Sequence, residues 1–179
     1  MRRNMLHVKF TSKPFDKLDA QCAVVTSFAD CRPLKGNAAL LDWRLNGRLS
    51  RILIGRRFRG DFREALLLPS EGRIKSREIL FLGLGDRASF GEASVSPFSR
   101  FVLEKVAQKK VSSFMISFSD IIADRFEWRN SVRLLVSQLH DFPGVEVLYL
   151  CETDECVKDA KRRHMDFGMN VEVSFETLV

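Results

Sequence analysis

Arginine is the residue whose number and spacing most clearly suggest a chemistry in this sequence, because its guanidinium group binds phosphates and carboxylates. Six arginines and no acidic residue lie between Asp42 and Asp61. They are Arg44, Arg48, Arg51, Arg56, Arg57 and Arg59. Such a set can follow a nucleic-acid backbone, or it can form a solvated face that pairs with local acids such as Asp42, Asp61 and Glu64. We favour the solvated or ion-paired face and keep a nucleic-acid site as the alternative.

A second set of residues could form a crevice for an anion. Gly83 and Gly85 follow an apolar run, but no third glycine opens a helix directly afterwards, as the dinucleotide-binding fingerprint requires. Lys35, Gly36 and Asn37 form another turn, which we group with this candidate crevice. Tight turning and close packing are the simpler role for the glycines, so ligand binding stays the alternative.

Acid–base, nucleophilic and metal chemistry find little support in the sequence. The acidic residues are dispersed, with Asp120 and Asp124 flanking a connecting loop, whereas two-metal hydrolysis needs carboxylates that converge. No cysteine has an obvious histidine partner, and no Gly-x-Ser-x-Gly elbow occurs. The four cysteines lack the spacing of a zinc site. We therefore predict free thiols, no catalytic residue, no metal site and no cofactor. The histidines are expected on the surface or at helix ends: His7, His140 and His164.

Length and composition are those of one ordinary globular domain. With 179 residues, 45% of them hydrophobic, the chain can bury about two thirds of its unfolded surface. No run approaches the roughly 18 apolar residues that cross a bilayer, and the start of the chain lacks the apolar core of a signal peptide. We therefore expect a cytoplasmic protein with no membrane partner. The net charge of +6 favours anionic partners without naming one.

Alternating strand and helix patterns predict the fold class. Strand patterns occur at residues 6–10, 22–28, 65–68, 78–84, 111–118, 145–150 and 171–175. Helical patterns outside the arginine-rich stretch occur at residues 97–110, 125–140 and 153–165. Pro97 is expected near the first turn of its helix, after a surface loop at 87–96, and Thr153 is expected as an N-cap. This order predicts a three-layer α/β domain, with a mostly parallel or mixed sheet flanked by helices.

The stretch from Arg32 to Gly60 is the centre of the predicted fold. Its Asn46-Gly47 pair should end one helix and start the next. We also assign Trp43 to the core. Four apolar residues share one helical stripe that should pack against that core: Leu41, Leu45, Leu49 and Ile52.

The same stretch resembles the N-terminal domain of the leucyl aminopeptidases. The resemblance is carried by Pro33-Leu34-Lys35-Gly36, by Leu41-Asp42-Trp43-Arg44-Leu45-Asn46-Gly47, by Leu49-Ser50-Arg51, and later by Leu66-Leu67-Leu68-Pro69 and Ile79-Leu80-Phe81-Leu82-Gly83-Leu84-Gly85. It covers about Ala20 to Leu150 and implies a macro-domain-like α/β fold. In that family this domain precedes a larger catalytic domain.

The resemblance implies several functions. Macro domains bind ADP-ribose at loops after such strands, which would place a nucleotide-like ligand near Gly83 and Gly85. Some bacterial leucyl aminopeptidases also bind DNA. The family's metal-ligand run, Asn-Thr-Asp-Ala-Glu-Gly-Arg, does not occur in this sequence, so aminopeptidase activity is an assignment by family label only.

The leading expectation is a non-catalytic interaction or regulatory module. We expect a single domain over residues 1–179, with the catalytic metallopeptidase domain absent. Its expected partner is a second copy of itself or a catalytic leucyl aminopeptidase homologue. An anion-binding module, using either the arginines or the crevice, is the alternative.

Overall fold

The described parts of the chain contain seven strands, six α-helices and a short 3-10 helix at Phe15–Lys17. The structure is a computed structural model that describes residues 5–122 and 127–177. The strands are β1 (Leu6–Thr11), β2 (Cys22–Ser27), β3 (Ala65–Pro69), β4 (Glu78–Gly83), β5 (Ser113–Ile116), β6 (Val147–Cys151) and β7 (Val171–Glu176). The helices are α1 (Gly36–Arg44), α2 (Arg48–Ile54), α3 (Glu92–Gln108), α4 (Ser119–Ile122), α5 (Trp128–Leu139) and α6 (Asp154–Arg162). Within these residues, no helix is both long and apolar enough to cross a bilayer.

The strands form one mixed sheet in the order β3-β4-β2-β5-β6-β1-β7. Every neighbouring pair is parallel except β3 with β4. Parallel neighbours need long crossover connections, and helices supply them here. β3 is therefore an antiparallel edge strand on an otherwise parallel sheet.

The sheet has a hydrophobic core on each face, so the domain has three layers. Along β2, Cys22 and Val24 belong to one core while Ala23 and Val25 belong to the other, as the alternation of side chains in a strand requires. Helices α3, α5 and α6 pack on the first core, and α1 and α2 on the second. The predicted three-layer α/β class is confirmed.

The apolar stripe of the central helical stretch packs as predicted. Leu41, Leu45 and Leu49 are buried, and Ile52 packs against the same core. Gly47 has a φ of +76° at the start of α2, a conformation that glycine adopts without steric cost. The chain can therefore turn sharply between two helices that use one apolar stripe.

Helix α3 begins earlier than predicted. It starts at Glu92, so the loop predicted up to residue 96 was wrong, and Pro97 lies inside the helix instead of near its first turn. The Ser94 hydroxyl accepts a hydrogen bond from the Gly91 N–H at 3.1 Å and caps the helix start. For the next helix, the predicted start at residue 125 lies outside the described residues, as does Asp124.

Candidate functional site

A crevice opens at the carboxyl ends of β2, β4 and β5, the edge of a parallel sheet where ligands commonly bind. Its lining combines apolar side chains with cationic, acidic and hydroxyl side chains. It includes Thr26, Ser27, Cys31, Lys35, Gly36, Arg87, Ser119 and Asp120. Two residues predicted for a crevice, Lys35 and Gly36, therefore do line one.

Asp120 occupies one side of this crevice. Its carboxylate accepts hydrogen bonds from the backbone N–H and the side-chain amide of Asn37, both at 2.8 Å. A Cβ on Gly36 would lie only 2.3 Å from Asp120 Oδ1, so this glycine leaves room for the carboxylate. Desolvation raises the pKa of Asp120, and the hydrogen bonds from Asn37 oppose that rise. A backbone N–H in the first turn of α1 is thus already bonded to an acid of the same chain.

Glu152 lies directly after β6 and is buried. Its two carboxylate oxygens accept the backbone N–H groups of Phe118 at 2.7 Å and Ser119 at 2.8 Å. Burial raises the pKa of Glu152 to about 7, although these hydrogen bonds act in the opposite direction. The carboxyl group therefore ties the end of β6 to the start of α4, next to the crevice wall.

Gly83 and Gly85 do not line the crevice. A Cβ on Gly83 would lie 2.0 Å from the Asp61 carbonyl oxygen, and one on Gly85 would lie 3.2 Å from the Phe62 Cβ atom. The backbone of the segment after α2 thus packs directly on these glycines. Close packing, the simpler of the two predicted roles, is what this geometry requires of them.

A groove with a volume of about 740 Å³ lies between α2 and β3. Its floor is apolar and consists of Leu45, Ile52, Leu66 and Leu68. Its rim is basic and carries Arg48, Arg51, Arg57 and Arg73, with Glu71 among them. We refer to this region as the α2–β3 groove. It gathers three of the six predicted arginines, and none of its lining side chains is aromatic.

Arg44 has a structural role away from the groove. Its Nη2 atom lies 2.6 Å from Oδ2 of the buried Asp16. Its Cζ atom lies 4.6 Å from the ring centroid of Trp43, in the geometry of a cation–π contact. The ion pair and the stacking fix this guanidinium group, so it does not act as a free surface cation.

The arginines of the groove differ in what they bind. Arg48 Nη1 lies 2.7 Å from Glu71 Oε1, and Arg51 Nη1 donates to the Asn46 carbonyl at 2.6 Å. Among the described residues, the guanidinium groups of Arg57 and Arg73 have neither an ion pair nor a hydrogen bond. The rim therefore combines guanidinium groups that already have a partner with guanidinium groups that have none among the described residues.

The remaining predicted arginines, Arg56 and Arg59, are exposed and lie outside the groove lining. Glu64, one of the neighbouring acids expected to pair with the arginines, has another role. Glu64 Oε2 accepts backbone N–H groups from Arg59, Gly60 and Asp61, at 2.8, 2.9 and 3.1 Å. It stabilises a turn instead of neutralising a guanidinium group.

The prediction that Trp43 belongs to the core was wrong. Its residue surface is 69% exposed. Trp43 is two positions from both Leu41 and Leu45, and residues two apart lie on different sides of a helix. The prediction gave too much weight to the hydrophobicity of tryptophan and too little to its position on the helix.

The described cysteines and histidines are not arranged for catalysis. The four cysteines are unpaired. Burial raises the pKa of the Cys22 thiol to about 12 and that of Cys151 well above its usual range. His7 lies on β1 and the other two histidines follow α5 and α6. In residues 5–122 and 127–177, no group of three or more His, Cys, Asp or Glu residues is placed to hold a metal ion.

Sequence reasoning missed three residues that define these two regions: Asp120, Glu152 and Arg73. Asp120 and Glu152 each follow the carboxyl end of a strand that the sequence had predicted. Polar residues just after parallel strands are a known signal for this edge of a sheet, and that signal was available. Arg73 lies in a turn-rich connection, and no local pattern ties it to α2.

The comparisons with known proteins agree on family and fold. Residues 24–141 match the cytosol aminopeptidase family, N-terminal domain. A probable cytosol aminopeptidase from Sulfurihydrogenibium is 22% identical over 111 residues, which are 62% of this chain and 22% of that protein. Another, from Alkaliphilus oremlandii, is 22% identical over 80% of this chain and 32% of its own length. The chain thus spans less than a third of the length of these relatives.

Solved structures show the same fold at low identity. The macrodomain of Mycobacterium tuberculosis DarG has a TM-score of 0.67 and 14% identity, covering 80% of this chain and 97% of its own. A tomato leucine aminopeptidase has a TM-score of 0.62 and 14% identity, covering 86% of this chain and 34% of its own.

Proposed function

The chain belongs to the cytosol aminopeptidase family, whose N-terminal domain it matches, and on this premise we propose that it is a non-catalytic module that binds a protein partner. The proposed partner is a catalytic aminopeptidase of the same family, and a second copy of this chain is the alternative. The observation that carries the proposal is the exposed indole of Trp43.

Trp43 is exposed and also held in place. Its ring stacks on the Arg44 guanidinium, which is anchored by the buried carboxylate of Asp16. A large aromatic side chain that is fixed before binding loses little conformational entropy on contact. Tryptophan is also the residue type most enriched among those that dominate interface energetics.

The surface beside Trp43 has the mixed character of an interface. A shallow hollow next to the indole is lined by Pro33, Leu34 and Ala39, with Asp42 and Ser50 at its border. Apolar contacts surrounded by polar groups are the usual composition of a binding patch. These features support association with another protein surface.

The test is co-purification of the tagged chain with the catalytic aminopeptidase from the same cells, together with sedimentation analysis for self-association. We expect Trp43→Ala to weaken the complex roughly thirtyfold, since a hot-spot side chain contributes about 2 kcal/mol. The melting temperature should hardly change, because exposed side chains contribute within about 0.5 kcal/mol. Met169→Ala is the matched control, since Met169 is also an exposed apolar residue.

Two results would contradict the proposal. The first is a wild-type chain that binds neither the aminopeptidase nor itself. The second is a Trp43→Ala variant that binds normally. If the variant melts much earlier, Trp43 has a structural role and its binding result must be repeated with Trp43→Phe.

Anion binding remains the second candidate function. The crevice has Lys35 and Arg87 in its lining, which suits a nucleotide-like ligand. However, Asp120 places a carboxylate among them and bonds the Asn37 N–H that a phosphate would use. For this reason we rank protein binding first.

A further inference from the structure

The α2–β3 groove is a surface of this module with unused binding capacity. We propose that it binds a short segment of the partner protein. Leucine-like and acidic side chains alternate along this segment. This inference rests on the proposed function, because it names a surface and a segment chemistry for the same protein partner. Asn46 borders both the groove and the hollow beside Trp43, so one partner can contact both.

The floor of the groove supplies the apolar part of the proposed contact. Leu45 and Leu68 belong to the hydrophobic core, whereas Ile52 and Leu66 are only partly buried and present the rest of their surface to the groove. Helix α2 therefore leaves the α1–α2 face of the edge strand incompletely covered. Apolar side chains of a partner would remove this surface from water.

The rim supplies the charged part. Arg57 and Arg73 carry guanidinium groups without a partner among the described residues. The contact of Arg48 with Glu71, at 2.7 Å, shows that a carboxylate fits at this rim. Guanidinium groups bind carboxylates through directed hydrogen bonds. Acidic side chains of a partner would complete this set of contacts.

The lining also distinguishes a protein segment from a nucleic acid. Proteins that hold single strands stack the bases on aromatic side chains, and the lining residues of the groove include none. Duplex DNA would contact the arginines through its phosphates and gain nothing from a leucine floor. The combination of an apolar floor and unpaired arginines therefore favours an acidic, apolar peptide.

Fluorescence anisotropy with short labelled peptides tests this inference on the full chain. One peptide contains leucine, glutamate and serine, a second has each leucine replaced by serine, and a third has each glutamate replaced by lysine. We expect the first to bind about tenfold more tightly than the other two. The double variant Arg57→Glu/Arg73→Glu should bind it about tenfold more weakly, because two favourable charge contacts become repulsive.

A matched control separates local contacts from net charge. Lys110→Glu/Arg133→Glu makes the same charge change at exposed residues that do not line the groove, and it should bind within about twofold of wild type. If a charge-reversal variant does not fold, Arg57→Gln/Arg73→Gln replaces it. The inference is overturned if wild type does not bind the first peptide, if the serine peptide binds equally well, if both double variants lose binding alike, or if duplex DNA binds more tightly than the peptide in an Arg57- and Arg73-dependent way.

The same variants separate this inference from the proposed function. If Arg57→Glu/Arg73→Glu still co-purifies normally with the aminopeptidase, the groove assignment fails and the proposed function stands. If wild type binds the peptide but neither the aminopeptidase nor itself, the choice of partner fails and the groove chemistry stands.

Discussion

The crevice at the strand ends and the α2–β3 groove differ in how far their polar groups are already bonded. In the crevice, Asp120 bonds Asn37, and Glu152 behind the wall bonds two backbone N–H groups. In the groove, Arg57 and Arg73 have no partner among the described residues. In parallel sheets, ligands commonly bind at the carboxyl ends of the strands, which is where the crevice lies. Within the described residues, however, the groove has more charged groups that lack a hydrogen bond or an ion pair. The usual position of a binding site in a fold and the presence of unpartnered polar groups are therefore two separate criteria for locating a site.

The largest expected effect comes from Gly83→Ala. A Cβ at this position meets the Asp61 carbonyl oxygen and the Gly60 backbone, so the backbone must shift, and we expect a loss of roughly 3 kcal/mol. In thermal unfolding this corresponds to a fall of roughly 6–12 °C for a domain of this size. Gly144→Ala is the control, because nothing lies within 4 Å of its added Cβ. A normal melting temperature for Gly83→Ala would mean that free space adjoins Gly83, and close packing would no longer account for this glycine beside the crevice.

A smaller effect, visible in its pH dependence, is expected from Glu152→Gln. Because burial raises the pKa of Glu152 from 4.5 to about 7, the folded chain holds a proton between these pH values that the unfolded chain has released. The free energy of unfolding of wild type should therefore fall as pH rises through this window, by about 2–3 kcal/mol in total.

The amide that Glu152→Gln introduces does not titrate, so this part of the slope should disappear in the variant. Urea unfolding at several pH values, from about 4.5 to about 8, measures it. Equal slopes in both proteins would show that the carboxyl group is less buried than the structure places it. The crevice wall would then hold its polar groups less tightly than its hydrogen bonds indicate.

The smallest expected effect concerns Asp120→Ala. The change removes the acceptor for both Asn37 donors, and water can replace it because the region is open, so we expect a loss of about 1 kcal/mol. Asp120→Asn keeps one oxygen acceptor and should lose less. Chemical denaturation of wild type, Asp120→Ala and Asp120→Asn measures their free energies of unfolding and gives the order. No difference among them would indicate that the crevice is as free of internal constraint as the groove.

Most of the fold could be predicted from local sequence patterns. The alternation of Val171, Val173 and Phe175 predicted β7, and Thr153 was correctly predicted as the cap of α6, where it accepts the Cys156 N–H at 3.3 Å. These features depend on residues near one another in the chain. The start of α3 was missed because Pro97 is a strong local signal, whereas the cap is formed by Gly91 and Ser94.

The sites were harder to predict because their residues come from distant parts of the chain. The arginine-rich stretch was recognised, yet Arg44 binds Asp16 and Arg48 binds Glu71, and neither acid is a close neighbour in sequence. Arg73 reaches the groove only because β3 returns along α2. Pairings of this kind depend on tertiary structure, which periodicity and composition do not encode.

The position of β1 has a consequence for how the chain folds. This first strand is bonded on both sides by strands from the far end of the chain, β6 and β7, and nearby Lys13 pairs with Glu176, 163 residues away. Contacts between residues so far apart in sequence form late in folding, because a large loop must be ordered first. During synthesis the apolar side chains of Val8 and Phe10 therefore have no strands to join until β6 and β7 have been made. Apolar surface and an unpaired strand that stay exposed over that interval favour aggregation.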